Sequence, residues 1–498
     1  MLKRTRSFLV LVMLLMTVTM SAQVTTATMS GKVTAQDEPI IGATIVAIHE
    51  PSGTRYGTVT NVSGQFNLQG MRTGGPYKVE ISYVGYQTAI YKGINLLLGE
   101  NYVLNVSLKE SSELLDEVVV TASKESNMKS DRAGAIMNAN RDMISNTPTI
   151  SRSISDIMRL SPQGADVGNG FAVGGGNYRQ SFVTVDGAAF NNTFGLGGNL
   201  PANGSPISLD ALEQVTVAVT PFDVRQSGFT GGAINAVTRS GDNQFRGTAY
   251  MYFNNENLKG SKVDDYELLR SKAQYYTYGA SFGGPIIKDK LFFFVNGEYE
   301  DNVTAGSNYR PRTALGESYS GGNIHRPLQS DMDDMRGFLL NKYNFDPGKY
   351  NDYSTDTPAY RVMARVDWNA NQNNKVSFRF TKTHTKDSNF PTSSVSPLST
   401  SALYPGGTST EVIDGKPVGT IAPGQGRTSK YALSFSNSNY YQVRDFTSVA
   451  GEWNSRMAQG AMNNMLRFAY SYQDEPRSFD GPLFPTVDIL QDGAVYAN

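Results

Sequence analysis

The 498 residues carry 44 basic and 45 acidic side chains, three histidines and no cysteine. Balanced charge argues against bulk nucleic-acid binding and against a basic membrane-surface patch, and without cysteine neither a disulfide framework nor thiolate chemistry is possible. The length predicts two to four domains, and abundant Gly, Tyr and Phe under a negative mean hydropathy suit β-strands joined by polar turns.

In chain order, Lys3, Arg4 and Arg6 precede the apolar run Phe8 to Val18, with a cleavage point after Ala22. Residues 1–22 therefore read as a secretory signal peptide, because the apolar core is too short to span a bilayer. No cysteine stands at the cut to carry a lipid, and no later run reaches 18 apolar residues. The route through a membrane that remains is a closed β-barrel.

Residues 23–110 alternate as a small Ig-like β-sandwich, with strands expected at 29–35, 42–50, 56–61, 64–70, 77–86 and 101–110. Turn signals stand between them at Pro39, Pro51 to Gly53, Ser63-Gly64 and Gly74 to Pro76. His49, His325 and His384 are far apart, and none has a second ligand at metal-site spacing.

Next comes LDEVVVTAS, Leu115 to Ser123, a short β-prone string ahead of the polar stretch 123–140. Either it is the edge strand of the neighbouring domain, or something else pairs with it. Residues 124–242 then read as a compact mixed α/β domain. Ser153 is placed to cap a helix through Ile154, Ile157, Met158 and Leu160 that Pro162 ends. The segment 171–195 reads as strand, glycine-rich turn at Gly174, Gly175 and Gly176, strand, and a turn at Asp186-Gly187. A short helix is expected at Asp210 to Glu213, followed by a strand. The string GGGNYRQS has no GK[ST] and opens no GxGxxG helix, so its glycines supply positive φ and close backbone approach, not phosphate binding.

From 243 to 498 long alternating strands are expected near 247–254, 274–284, 291–300, 359–368, 375–384, 441–453 and 465–474. Tyr360, Val362, Ala364, Val366 and Trp368 share one face, and Arg361, Arg365 and Asp367 the other. Val376, Phe378 and Phe380 likewise oppose Ser377, Arg379 and Thr381. Short connections alternate with the long polar ones 255–273, 301–358 and 385–440, which suits a transmembrane barrel with apolar residues outward and long loops outside the cell. Tyr431 to Phe435 is placed inside a loop.

GKVT at 31–34, PIIGATIVA at 39–47, TNVSGQFNL at 60–68 and SYVGYQT at 82–88 resemble the carboxypeptidase-regulatory-like domain, with Asn61 where that pattern often has an acid. In sequence with SISDIMRLSP, VGGGNYRQSFVTVDGAAFNN and GFTGGAINAVTRSG, the chain resembles the TonB-dependent receptors of the outer membrane, in their Oar-like branch. That resemblance implies a plug at 124–242 and a TonB box within 111–123. The box is carried here by Asp116, Glu117, Val118, Val119, Val120, Thr121 and Ala122. The plug motif is carried by Gly174, Gly175, Gly176, Asp186, Gly187, Gly228, Gly231, Gly232 and Asn235. It implies uptake of a scarce solute (a peptide, a glycan or a metal chelate) with no cofactor and no nucleic acid. The partners implied are outer-membrane lipid and a TonB-type energy-transducing protein of the periplasm. A β-prone string beside a polar linker can add as a strand to a partner's sheet edge.

Seven strands cannot enclose a plug of roughly 120 residues, since eight leave room only for side chains. The expectation is therefore an N-terminal portion of a longer receptor, or a truncated product that transports nothing. A surface adhesive or structural role is the competing function, but it would need neither box nor plug. No Ser/His/Asp order or metal cluster can be assembled from isolated histidines, so an enzyme is not expected.

Overall fold

The computed structural model describes residues 24–110, 118–121, 136–149, 152–168, 170–192, 198, 200–219, 229–258, 260, 262–264, 266–267, 272–307, 309–319, 323–391, 412–413, 416–417, 426–457, 462–491 and 494–497. The expected signal peptide lies outside them. So do Asp116, Glu117, Ala122 and Gly228.

The first unit is a two-sheet sandwich built from β1 (Ala27–Ala35), β2 (Glu38–Pro39), β3 (Thr44–His49), β4 (Thr54–Val59), β5 (Gln65–Met71), β6 (Gly74–Ser82), β7 (Ala89–Leu96), β8 (Asn101–Val103) and β9 (Val106–Ser107). One sheet has β1 at its centre, antiparallel to β5 and β2 and parallel to β8 and β9. The other runs β7-β6-β3-β4, and β10 (Val118–Thr121) is added at its edge. Met29, Ile45, Leu68, Tyr77, Val79 and Ile81 fill the space between the sheets, all fully buried. The alternation expected from sequence sets this inward face. Strand β7 was not among the expected strands. Its sequence AIYKGINL breaks the alternation at Lys92-Gly93, and Gly93 has φ +79°.

The second unit centres on a mixed five-stranded sheet. Its strands are β11 (Ile136–Ala139), β14 (Phe182–Val185), β15 (Ala188–Ala189), β16 (Leu212–Ala218) and β17 (Ala233–Thr238), in the order β11-β16-β17-β14-β15. A two-stranded ribbon of β12 (Gly164–Asp166) and β13 (Phe171–Val173) accompanies it. Helix α1 (Arg141–Asn146) starts at Asn140, whose side chain accepts from the Met143 amide at 2.9 Å. Helix α2 (Ile154–Met158) starts at Ser153 in a capping box with Asp156, as the sequence leads one to expect. The helix expected at Asp210 to Glu213 is instead a 3₁₀ turn, Leu209–Ala211, because Leu212 already begins β16.

The third unit is one antiparallel sheet of long strands. They are β18 (Arg246–Asn255), β21 (Gln274–Ile287), β22 (Leu291–Ala305), β26 (Ala359–Asn369), β27 (Asn374–Asn389), β30 (Tyr440–Met457) and β31 (Met462–Asp474), each paired to the next. Short pairs lie in the connections: β19 (Lys262–Val263) with β20 (Tyr266–Glu267), β23 (Arg310–Arg312) with β24 (Ile324–Leu328), and β28 (Val412–Ile413) with β29 (Lys416–Pro417). Strand β25 (Ser354–Asp356) extends the ladder of β22. Trp368, Val366, Val362 and Phe378 face outward, whereas Arg361, Arg379 and Thr381 are buried. This is the face assignment the alternation predicts for a barrel. Exposed aromatics gather near both ends of the strands: Phe245 stacks on Phe282 toward the short turns, and Tyr276 on Tyr278 toward the long connections. Tyr431 to Phe435 lies outside the strands, touching Ala497 through one bridge at Leu433.

The long connection 306–358 is not all irregular, contrary to its reading as a polar loop. It holds α3 (Gln329–Tyr343), of which Met332 alone is buried. The Tyr496 hydroxyl donates to Asp331 at 2.6 Å and accepts from the Leu328 amide at 2.8 Å. A helix polar on nearly every side gives no periodic signal, and distant chain anchors this one.

Candidate functional site

The concave face of the long-strand sheet is covered by the mixed domain. Phe294, Met363, Phe446 and Ala450 of the long strands join its core around Ile157, Phe190, Val215 and Ile234. Beyond that apolar patch the interface is polar. Arg361 on β26 is 4% exposed, donates to Glu298 at 3.0 Å and reaches Glu300 on β22. Its Nε donates to the Ser205 carbonyl of the mixed domain at 2.6 Å. Ser208 donates to Glu298 at 2.9 Å from the same side.

A second latch forms at the turn between β14 and β15. Asp186 and Gly187 have φ of +46° and +75°, the pair of left-handed residues that a tight hairpin turn needs. The turn aims the Asp186 carboxylate at Arg379 (3.1 Å) and Arg365 (3.4 Å) on the long strands. The same carboxylate accepts from the Thr238 amide at 3.0 Å and from its hydroxyl at 2.6 Å. Asp210, paired with Arg141 at 2.9 Å within the mixed domain, makes a third latch by accepting from the Thr248 hydroxyl of β18 at 2.8 Å.

The expected motif residues that are described come together. Asn235 on β17 pairs in parallel register with Thr184 on β14 and accepts its hydroxyl at 2.7 Å. Gly231 and Gly232 lie against Gln180 and Val173, where a Cβ on Gly232 would come within 2.4 Å of Val173 Cγ1. Gly174, Gly175 and Gly176 form the turn directly after β13. Thus the two glycine blocks close one seam of the domain. Arg361, Arg365, Glu298 and Glu300 were not among the expected site residues. The sequence puts Arg361 and Arg365 on a polar face, but pairing across strands and domains assigns their partners.

Two cavities flank the latches. One of about 660 Å³ opens at the long-connection end, lined by residues including Arg159, Asp166, Glu300, Lys386 and Asp387. There the Arg159 guanidinium hydrogen-bonded to Asp166 holds its carboxyl below the ordinary carboxylate range. The other, about 310 Å³, lies at the short-turn end between sandwich, mixed domain and long strands, beside His49, Asp186 and Arg379. The sandwich closes this end. Asn243 donates its amide to the Pro51 carbonyl at 3.0 Å, Asn369 to Thr54 at 2.9 Å, and Arg72 to the Gly241 carbonyl at 3.2 Å.

Residues 28–109 match the carboxypeptidase regulatory-like domain, and residues 237–418 the outer membrane beta barrel domain. Over half the chain, the sequence is 27% identical to the TonB-dependent transporter Oar of Myxococcus xanthus. It is 29% identical over 51% of its length to the TonB-dependent receptor SusC of Bacteroides thetaiotaomicron. The chain is thus similar to the TonB-dependent outer-membrane receptors. The matched stretches span 22% and 24% of those two relatives. Among solved structures, the outer membrane transporter YddB from Escherichia coli aligns over 68% of this chain and 38% of its own, at 10% identity and a TM-score of 0.43.

The string expected as the box falls on the first of the two readings its sequence left open, the edge strand of the neighbouring domain. Of its seven residues, Val118 to Thr121 form β10, which lies parallel to β7 with Val118 opposite Ala89 and Thr121 opposite Lys92. The strand expected at 101–110, the last of the sandwich, is instead the two short strands β8 and β9. Those two strands pair with β1 in the other sheet, which leaves the β7 edge for β10.

Proposed function

We propose that this chain works in the TonB-dependent uptake of a scarce solute across the outer membrane, with residues 111–123 receiving force from a periplasmic energy-transducing protein and 124–242 acting as the plug. The observation that carries the reading is the polar seam between plug and long strands, in which Asp186 pairs with Arg365 and Arg379, Thr248 donates to Asp210, and Arg361 donates to the Ser205 carbonyl. An apolar seam of the same size would weld the plug in place. A seam of charges can trade its partners for water once a pull opens it, because hydration replaces much of what each pair contributes. The cavity at the long-connection end is the proposed solute entry. Its lining holds both signs of charge, so peptide, glycan and metal chelate all remain candidate classes.

The test is capture of the receptor by the periplasmic domain of the energy-transducing protein. Val119→Pro removes an amide donor and blocks strand pairing, so capture should be lost while the receptor still reaches the outer membrane. Unchanged capture would show that Val118 to Thr121 are not the partner's strand.

A further inference from the structure

We propose that the sandwich domain is the resting dock of the TonB box, and that the energy-transducing protein takes Val118 to Thr121 only in exchange for the β7 edge. The proposal rests on the transport reading above and adds a rule for when the box can be engaged. Three observations carry it.

The first is fit. The four described residues of β10 pair in continuous register with Ala89 to Lys92 of β7. Directly after this stretch Gly93, at φ +79°, turns the β7 backbone out of extended geometry.

The second is place. The chain leaves the sandwich at Glu110, which bridges to Tyr86, while the Lys109 carbonyl accepts from the Gln87 amide. The dock begins at Ala89, beside that exit, and only residues 111–117 intervene. A tether that short keeps the local concentration of the strand high. Docking therefore needs little intrinsic affinity.

The third is strength. The pairing is parallel over its four described residues, a form slightly weaker per residue than antiparallel pairing. Backbone ordering opposes so short a ladder. A dock of this kind hides the strand and gives it up to a partner with a longer edge. An uncovered β7 would also present an open sheet edge, which proteins ordinarily protect; parking the box covers it. Along the chain, the box lies between this dock and β11, the edge strand of the plug sheet, with residues 122–135 as the link. A pull on a released box then loads the plug, whereas a pull on a docked one is shared with the sandwich.

The absence of native cysteine makes the test direct. Lys92→Cys with Thr121→Cys places one thiol on each strand at directly opposed positions, and Tyr91→Cys with Val120→Cys is a second pair in the same register. Thr121→Cys with Thr58→Cys, on the opposite edge of the sheet, is the control. In the full chain in outer membranes, mild oxidation should cross-link the first two pairs and not the third. The cross-linked receptor should lose capture by the transducer's periplasmic domain by roughly ten-fold, and reduction should restore it. Adding that domain to the reduced receptor should speed deuterium uptake at Ala89 to Lys92. No cross-link in either pair would overturn the dock. A cross-linked receptor captured as well as the reduced one would overturn exchange, because the partner would then be adding to the outer edge of β10. If the unmodified receptor is not captured at all, the transport reading fails and exchange fails with it, while the cross-link still reports whether the strand is docked.

Discussion

Strands β3 and β6 of the sandwich alternate with a period of two, and so do β26 and β27 of the barrel sheet. In the sandwich the alternation buries Ile45, Val79 and Ile81. In the barrel sheet it leaves Trp368 at 50% exposure and Phe378 at 50%, and buries Arg361 at 4% and Arg379 at 2%. The difference lies in the medium around each sheet. Water surrounds the sandwich, so apolar side chains turn inward. Lipid is the outer medium of a membrane barrel, so the apolar row turns outward and the polar row meets the plug. Inward burial in the sandwich is therefore paid in apolar area, and in the barrel it depends on paired charge.

That contrast can be broken at its strongest point first. Arg361→Ala would leave Glu298 and Glu300 buried without their cation, and should destabilise the folded receptor by about 3–5 kcal/mol, read in its thermal unfolding. If the loss stays below about 1 kcal/mol, those carboxylates have another partner or reach water. Phe378→Arg, on the outward face, should make insertion into lipid vesicles less favourable by about 2–4 kcal/mol. No effect there would mean that Phe378 does not face lipid. In the sandwich the equivalent probe is an apolar trim. Ile45→Val should cost about 0.5–1.5 kcal/mol in chemical denaturation of that domain.

The smallest expected effect concerns pH. Burial, with Arg72 nearby, pushes His49 well below its ordinary value, and its Nδ1 lies 2.7 Å from the Ser52 hydroxyl. The folded domain thus favours the neutral ring. The stability this contributes is complete above about pH 6.5 and falls away as pH drops below that value, because the unfolded chain takes up the proton first. The sandwich should melt at a lower temperature at pH 5.5 than at pH 7.5. His49→Gln should flatten that difference.

Much of the fold was legible because long strands repeat their signal. All seven long strands fall where the alternation puts them, and the outward and inward faces of β26 and β27 follow from residue type alone. Ser153 and the Asp186-Gly187 turn were legible because capping and left-handed turns have narrow residue preferences. Strand β7 was hidden by Lys92-Gly93, and α3 by having almost no apolar face. The latches were half legible: one can see that Arg361 and Arg365 turn inward, but not that Glu298 and Asp186 wait there.

By itself, the sequence determined which segments extend, which faces are apolar and where tight turns fall, since these depend on side-chain chemistry within a few residues. Only the tertiary structure decided that the string Val118 to Thr121 rests on β7, and that Asp186 meets Arg365 and Arg379 across nearly two hundred residues. Backbone hydrogen bonds along a strand edge carry almost no side-chain code, and an ion pair between distant segments leaves no local period, so both come into view only when the chain is folded.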